Sequence, residues 1–167
     1  LLAQYPAYQR DMRSKGMPLM GSGLIFEYDE DDLAIAPFKI PDYWFIINGQ
    51  DFGWDHPQSH VQLIEDRDAG MFYFVNAWKK SKKHPYEAWH AVKIWSDGVP
   101  TAWPADGLKG QLKTAEGKST DGDTVKDLYI EEGFWMLDEH ATWEGGGNSV
   151  QRGIMEFNNL MEAGKIR

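Results

Sequence analysis

The sequence predicts an α/β domain, a mixed sheet flanked by helices, from three observations. Between Tyr43 and Trp78, three apolar or alternating runs succeed one another across short turns, as in an antiparallel meander. From His84 onward, helical apolar spacing alternates with short apolar runs, giving helix, strand, helix, strand, helix. The 167 residues suit one domain with a sizeable core.

Residues 1 to 15 read as a short helix interrupted at Pro6, made locally basic by Arg10, Arg13 and Lys15. Gly16, Pro18, Gly21 and Gly23 punctuate the next stretch into a connector. Glu27, Asp29, Glu30, Asp31 and Asp32 then read as a solvated loop. The first strand is the apolar run from Trp44 that ends at Asp51. In the second, His60–Asp66, Val61 and Leu63 alternate with polar neighbours. A turn at Arg67–Gly70 leads to the third, Met71–Trp78.

Pro85 sits at a first helical position, and Ala88, Trp89, Val92 and Trp95 recur at helical spacing until Asp97-Gly98 stops the run. A fourth strand is expected over Val99–Trp103, before Pro104-Ala105-Asp106-Gly107. Residues 107 to 123, rich in Gly, Lys, Ser and Thr without apolar periodicity, read as a loop. A helix opens at Thr124 with Val125, Leu128 and Tyr129 inward, and Gly133 closes it. Phe134–Leu137 is expected to be a strand. A last helix, capped by Asn148 or Ser149, carries Val150, Ile154, Phe157 and Met161 on one face.

Composition narrows the function. The absence of cysteine excludes disulfides, zinc–thiolate sites and cysteine nucleophiles. Neither a membrane span nor a signal peptide is expected. The net charge of −9 excludes a general field attraction for nucleic acid, so any such role rests on local lysines or on cations held by acids. The 8 tryptophans read as core and face packing for a small sheet.

The first and fourth expected strands both end in an aspartate. Laid side by side and parallel, they bring Asp51 and Asp106 together at their carboxyl ends, where α/β sheets place ligands. Adjacent carboxylates repel unless a cation neutralises them, and hard oxygen donors suit Mg²⁺ or Mn²⁺. Spacing alone leaves open the other reading, two turn residues, since Asp-Gly is a common turn pair.

A resemblance bears on that choice. Gln50–Pro57 looks like the first-strand motif of the nuclease domain of tailed-phage terminase large subunits. Upstream, Tyr5–Gly16 and Gly21–Phe26 are similar to the segment joining the packaging ATPase to that nuclease. Downstream, Ala102–Gly107 resembles its second acidic position, and Glu139–Thr142 with Asn148–Ile154 its strand-to-helix segment. The ordered set spans nearly the whole chain.

The resemblance implies an RNase H-like fold and a linker over 1–23 from a preceding ATPase domain. It implies a nuclease domain over 24–167 that lacks its C-terminal part. It further implies two-metal cleavage of concatemeric double-stranded DNA by two Mg²⁺ or Mn²⁺, with Asp51 bridging both and Asp106 the second carboxylate. The family's third acid is expected beyond Arg167. The implied partners are the ATPase domain, the portal and the small terminase subunit, and the implied setting is the host cytoplasm, on the procapsid.

Other residues are auxiliary candidates. Asp55 and His56 come soon after Asp51 and read first as turn formers, with Asp55 a minor ligand candidate. His140 reads as structural or as a phosphate contact, and Asp138 or Glu139 as a substitute third carboxylate. Lys79, Lys80, Lys82 and Lys83 form a basic run, and Lys109, Lys113 and Lys118 come after Asp106; either set suits DNA phosphates. No P-loop motif is present. The competing readings are a catalytically incomplete docking domain for the portal or small terminase, a carbohydrate-binding module, and a glycoside hydrolase with paired carboxylates.

Overall fold

The computed structural model describes Phe26, Tyr28, residues 30–110 and residues 124–167. The expected N-terminal helix, the 1–23 linker and residues 111–123 of the expected loop lie outside the described residues. In chain order the described elements are α1 (Glu30–Leu33), β1 (Phe45–Asp51), β2 (Gln58–Asp66), β3 (Met71–Lys80), α2 (Pro85–Ser96), β4 (Thr101–Ala102), a 3-10 turn (Ala105–Leu108), α3 (Val125–Glu132) and α4 (Val150–Glu162). They fall into two units, residues 40–148 and residues 1–39 with 149–167.

In the first unit, β1, β2 and β3 form the expected antiparallel meander, and β4 joins β1 in parallel, giving the order β3-β2-β1-β4. The fourth strand is shorter than expected. Pro100 and Pro104 flank it and have no N–H to give a ladder, so Thr101 and Ala102 alone pair with Asn48 and Gly49. The strand expected at Phe134–Leu137 shrinks with it to one parallel bridge, Met136 to Thr101. That bridge is held by Thr101 N–H to Trp135 O at 2.8 Å and Leu137 N–H to Thr101 O at 3.0 Å.

α2 and α3 are capped as their sequences predict. Pro85 occupies the first turn of α2, where a missing N–H costs nothing. Thr124 and Asp127 form a reciprocal capping box on α3. Gly133 ends α3 at a φ of 116°, and a Cβ there would meet the Trp89 ring at 2.9 Å. The core packs Ala88 and Val92 of α2 and Tyr129 of α3 with Trp103, Phe134 and Met136. Phe52, Trp78, Trp89 and Trp95 pack around it, whereas Trp54 and Trp135 are exposed, an exception to the packing role expected of the tryptophans.

The period-two pattern of β2 is present, but three of the four residues on its buried face are polar, Ile64 being the fourth. Gln58, His60 and Gln62 are buried, while Val61 and Leu63 on the other face are only half-buried. Asn48 and Gln50 of β1 lie on the same face by register. Each of these polar side chains makes a hydrogen bond, which offsets much of the cost of its burial, while Asn48 Oδ1 has no partner among the described residues.

In the second unit, the acidic run is not wholly a loop, because Glu30–Leu33 forms one helical turn. In α4 the Ser149 side chain caps Arg152 N–H, and Phe157 packs on Phe26 with ring centroids 4.9 Å apart. Met161 is buried as expected, but Val150 is 72% exposed and leaves the expected face at the first turn.

Candidate active site

Asp51 is the last residue of β1. Register puts Ser59 opposite it on β2 and Lys79 opposite Ser59 on β3, so the three share one face at the end of the sheet. Beyond Asp51 the chain turns sharply. A Cβ on Gly53 would lie 2.4 Å from His56 O, so only glycine fits. Lys82, at a φ of 54°, donates its N–H to Trp54 O at 2.9 Å and ties this turn to the segment after β3.

Asp106 reaches the same place by a different route. It sits on the 3-10 turn, four residues past the end of β4, and is not the terminus of a strand. Trp103 anchors that turn. It is 1% exposed, and its indole N–H donates to Leu137 O at 2.6 Å. Gly107 lies against this ring and against Phe52, the neighbour of Asp51; a Cβ there would meet them at 2.5 and 2.8 Å. Phe52 in turn packs edge-on against Tyr129 at 5.0 Å. Packing through one glycine and two rings therefore brings the turn carrying Asp106 up to the end of β1.

The electrostatics agree with that approach. Partial burial, and then the charge of Asp106, hold the Asp51 carboxyl above the usual carboxylate range, while Lys79 pulls it back in part. Lys109 Nζ stands 3.5 Å from Asp106 Oδ2, a loose, exposed pair. Two repelling carboxylates open to solvent are a cation-binding arrangement.

The other expected site residues divide. Asp55 and His56 lie exposed in the turn, and no hydrogen bond or ion pair joins them to Asp51. His140 packs edge-on against Trp103 at 5.8 Å, so it touches the ring that props the Asp106 turn. Glu139 and Asp138 lie without a hydrogen bond or ion pair to the site. Lys83 is engaged elsewhere, paired with Glu87 at 2.6 Å. Lys80 lies opposite Gln58, one place off the Asp51 face, so Lys79 is the lysine of that run aligned with the aspartate. Lys113 and Lys118 lie outside the described residues. Among the described residues, no group of three His, Asp or Glu side chains could hold a metal ion together.

Sequence reading missed Gln50, His60, Ser96 and Gly107. Gln50 Nε2 donates to the backbone O of Asp51, and its Oε1 accepts from His60 Nδ1, both at 2.9 Å. Burial pushes His60 down to about 4, so the ring is neutral. The polar alternation of β2 was the available signal for His60, and the Asp-Gly pair was the signal for Gly107.

Comparison with known proteins places this arrangement. A family profile described as the terminase RNaseH-like domain matches residues 48–167. The terminase large subunits of Enterobacteria phage LP7 and Salmonella phage P22 are each 43% identical over all 167 residues. The chain spans 34% and 32% of them, about a third of their length. The solved P22 large terminase nuclease domain superposes with a TM-score of 0.74 at 44% identity, over 89% of this chain and 73% of that one. The large terminase nuclease of thermophilic phage G20c, solved with bound cobalt, shares the fold at a TM-score of 0.52 and 15% identity, over 89% of this chain and 74% of that one. The carbohydrate-related readings fall with these matches. The mixed sheet is RNase H-like, and the chain belongs to the terminase RNaseH-like domain family.

Proposed function

We propose that this domain is a divalent-metal-dependent DNA endonuclease that cuts concatemeric viral DNA during genome packaging. One observation carries the reading: Gly107 packs against Phe52, so the turn carrying Asp106 meets the end of β1 that carries Asp51, at the open end of the sheet. The donor set fits a hard divalent cation. Both groups offer carboxylate oxygens, neither is buried in an apolar setting, and Lys109, which pairs with Asp106, is loosely held. Family membership and the cobalt bound by the G20c nuclease support the same assignment.

In this reading Asp51 and Asp106 would hold the Mg²⁺ or Mn²⁺ ions, Asp51 as the central carboxylate and Asp106 as the second. When bound, such a pair supplies an activated water and offsets charge on the leaving oxygen of a phosphodiester. The protein's own part is to hold the two carboxylates against their repulsion and to draw in the DNA. Lys79 and Lys109 flank the pair and oppose the −9 net charge locally, each phosphate contact adding to the salt dependence of binding. Lys80, on the neighbouring face, is a weaker candidate for a phosphate contact, and Lys113 and Lys118 remain candidates from the sequence that lie outside the described residues.

The test is plasmid nicking in Mn²⁺, in Mg²⁺ and in EDTA, with Asp106→Asn beside the wild-type chain. Nicking in either metal, absent in EDTA and lost in the variant, is the expected result. Metal-independent nicking would overturn the reading.

The wider setting belongs to the same proposal. Residues 1–23 link a packaging ATPase to the nuclease, residues 24–167. The portal and the small terminase subunit dock the assembly on the procapsid in the host cytoplasm. No helix among the described residues is long and apolar enough to cross a membrane. A second reading, a docking domain without full catalytic equipment, draws on the two-carboxylate site, since no third acid joins it among the described residues. Failure to bind Mn²⁺ would favour that reading.

A further inference from the structure

The largest feature left over by the proposed chemistry is the polar chain buried under the sheet. It runs from α2 to the carboxyl end of β1. Asn48 Nδ2 donates to Ser96 Oγ, Ser96 Oγ meets His60 Nε2, His60 Nδ1 meets Gln50 Oε1, and Gln50 Nε2 donates to Asp51 O, each at 2.9 Å. Asn48, Gln50, His60 and Ser96 are all buried.

The last bond sets the direction of all the others. A carbonyl only accepts, so Gln50 must turn its NH₂ toward Asp51 and its oxygen toward His60. His60 must then carry its proton on Nδ1 and accept at Nε2. Ser96 must donate to that nitrogen, which leaves its oxygen to accept from Asn48. One neutral tautomer satisfies both ring nitrogens of His60, the Ser96 hydroxyl and the Gln50 amide, and buried polar groups that depend on one another hold a single arrangement.

Its end point is the part of β1 most in need of support. Asp51 closes the strand, and the Gly53 turn begins two residues later. The Asp51 carboxylate faces a like charge on Asp106. We infer that the buried chain Ser96–His60–Gln50 positions Asp51, fixing its peptide so that its carboxylate stays beside Asp106 ready for a divalent cation. This rests on the proposed metal site. Gln50, His60 and Ser96 touch neither metal nor DNA; they act through the backbone of Asp51. Supporting partners of metal ligands commonly change affinity by roughly 10- to 100-fold, and action through a peptide carbonyl belongs at the low end, about 10-fold.

Mn²⁺ titration followed by electron paramagnetic resonance tests it on the 167-residue chain, with thermal unfolding recorded for every variant. Gln50→Met keeps the length of the side chain and removes both bonds. Gln62→Met is its control. Gln62 is also 6% exposed on the same face, but its bonds go to Trp95 O and Asn76, away from Asp51. The expected result is a Mn²⁺ dissociation constant raised about 10-fold in Gln50→Met and within about 2-fold of wild type in Gln62→Met, at similar losses of stability. His60→Leu should behave like Gln50→Met. His60→Asn, whose amide can replace the Nδ1 donor, should recover most of the affinity. Equal affinities in the Gln50 and Gln62 variants, with Mn²⁺ still lost in Asp51→Asn, would overturn the positioning role and leave the metal site standing. A wild-type chain that binds no Mn²⁺ would overturn both.

Discussion

Gly107→Ala tests how packing assembles the site. The added Cβ would lie 2.5 and 2.8 Å from two atoms of the Trp103 ring and 2.8 Å from the Phe52 ring. Ordinary carbon contacts are about 3.5 to 4.0 Å, so each overlap is roughly 1 Å. Neither ring can easily retreat. Trp103 is buried and tied to Leu137 O, and Phe52 is packed on Tyr129. The 3-10 turn must therefore move, and Asp106 with it. Overpacking of this kind costs about 1–3 kcal/mol. At about 2–4 °C per kcal/mol for a chain of this size, Tm should fall by about 2–12 °C. Gly110→Ala is the control, because nothing among the described residues lies within 4 Å of its Cβ, and it should stay within about 0.5 kcal/mol of wild type. Thermal unfolding by circular dichroism reads the first effect. Mn²⁺ affinity, measured well below Tm, reads the second and should weaken in the Gly107 variant alone. Wild-type melting and wild-type affinity in Gly107→Ala would refute the claim that this close approach joins the two aspartates.

Three further outcomes rest on the same geometry. Tyr129→Phe removes the hydroxyl that donates to buried Gln58 Oε1 and should cost about 1–3 kcal/mol in urea unfolding. His60 faces Gln50, Ser96, Trp95 and Phe134, none of them titratable in this range, and its pKa is lowered from 6.5 to about 4. The unfolded chain binds more protons between those values, so stability should fall by roughly 3 kcal/mol as pH drops through the window, and His60→Asn should flatten that slope. Asp51 titrates above its unfolded value, so the folded state loses stability as pH rises through that shifted range. In metal-free buffer at neutral pH, Asp51→Asn should therefore melt no lower than wild type, and a clear loss of Tm would show that Asp51 stabilises the fold.

The meander was legible in the sequence because the runs around Asp51 depend on local pairing and turns. α2 and α3 were legible through Pro85, Thr124 and Gly133, all local signals. Three features were not. The burial of Gln58, His60 and Gln62 depends on partners 10 to 71 residues away, which no local pattern reveals. Lys79 is set opposite Ser59 and Asp51 by pairing across three strands, with a bulge at Gln62/Leu63 shifting the register further along. A place for Asp106 beside Asp51 was expected, but not its route there, a 3-10 turn held by Gly107 packing against two rings and not a strand end.

The central claim is that Asp51 and Asp106 form a metal-dependent DNA-cutting centre. The most direct measurement is supercoiled-plasmid nicking in Mn²⁺ by wild type and by Asp51→Asn, the fold of each verified by circular dichroism. The account predicts nicking by wild type that EDTA stops, and none by a folded Asp51→Asn protein. Undiminished nicking by that folded variant would contradict it.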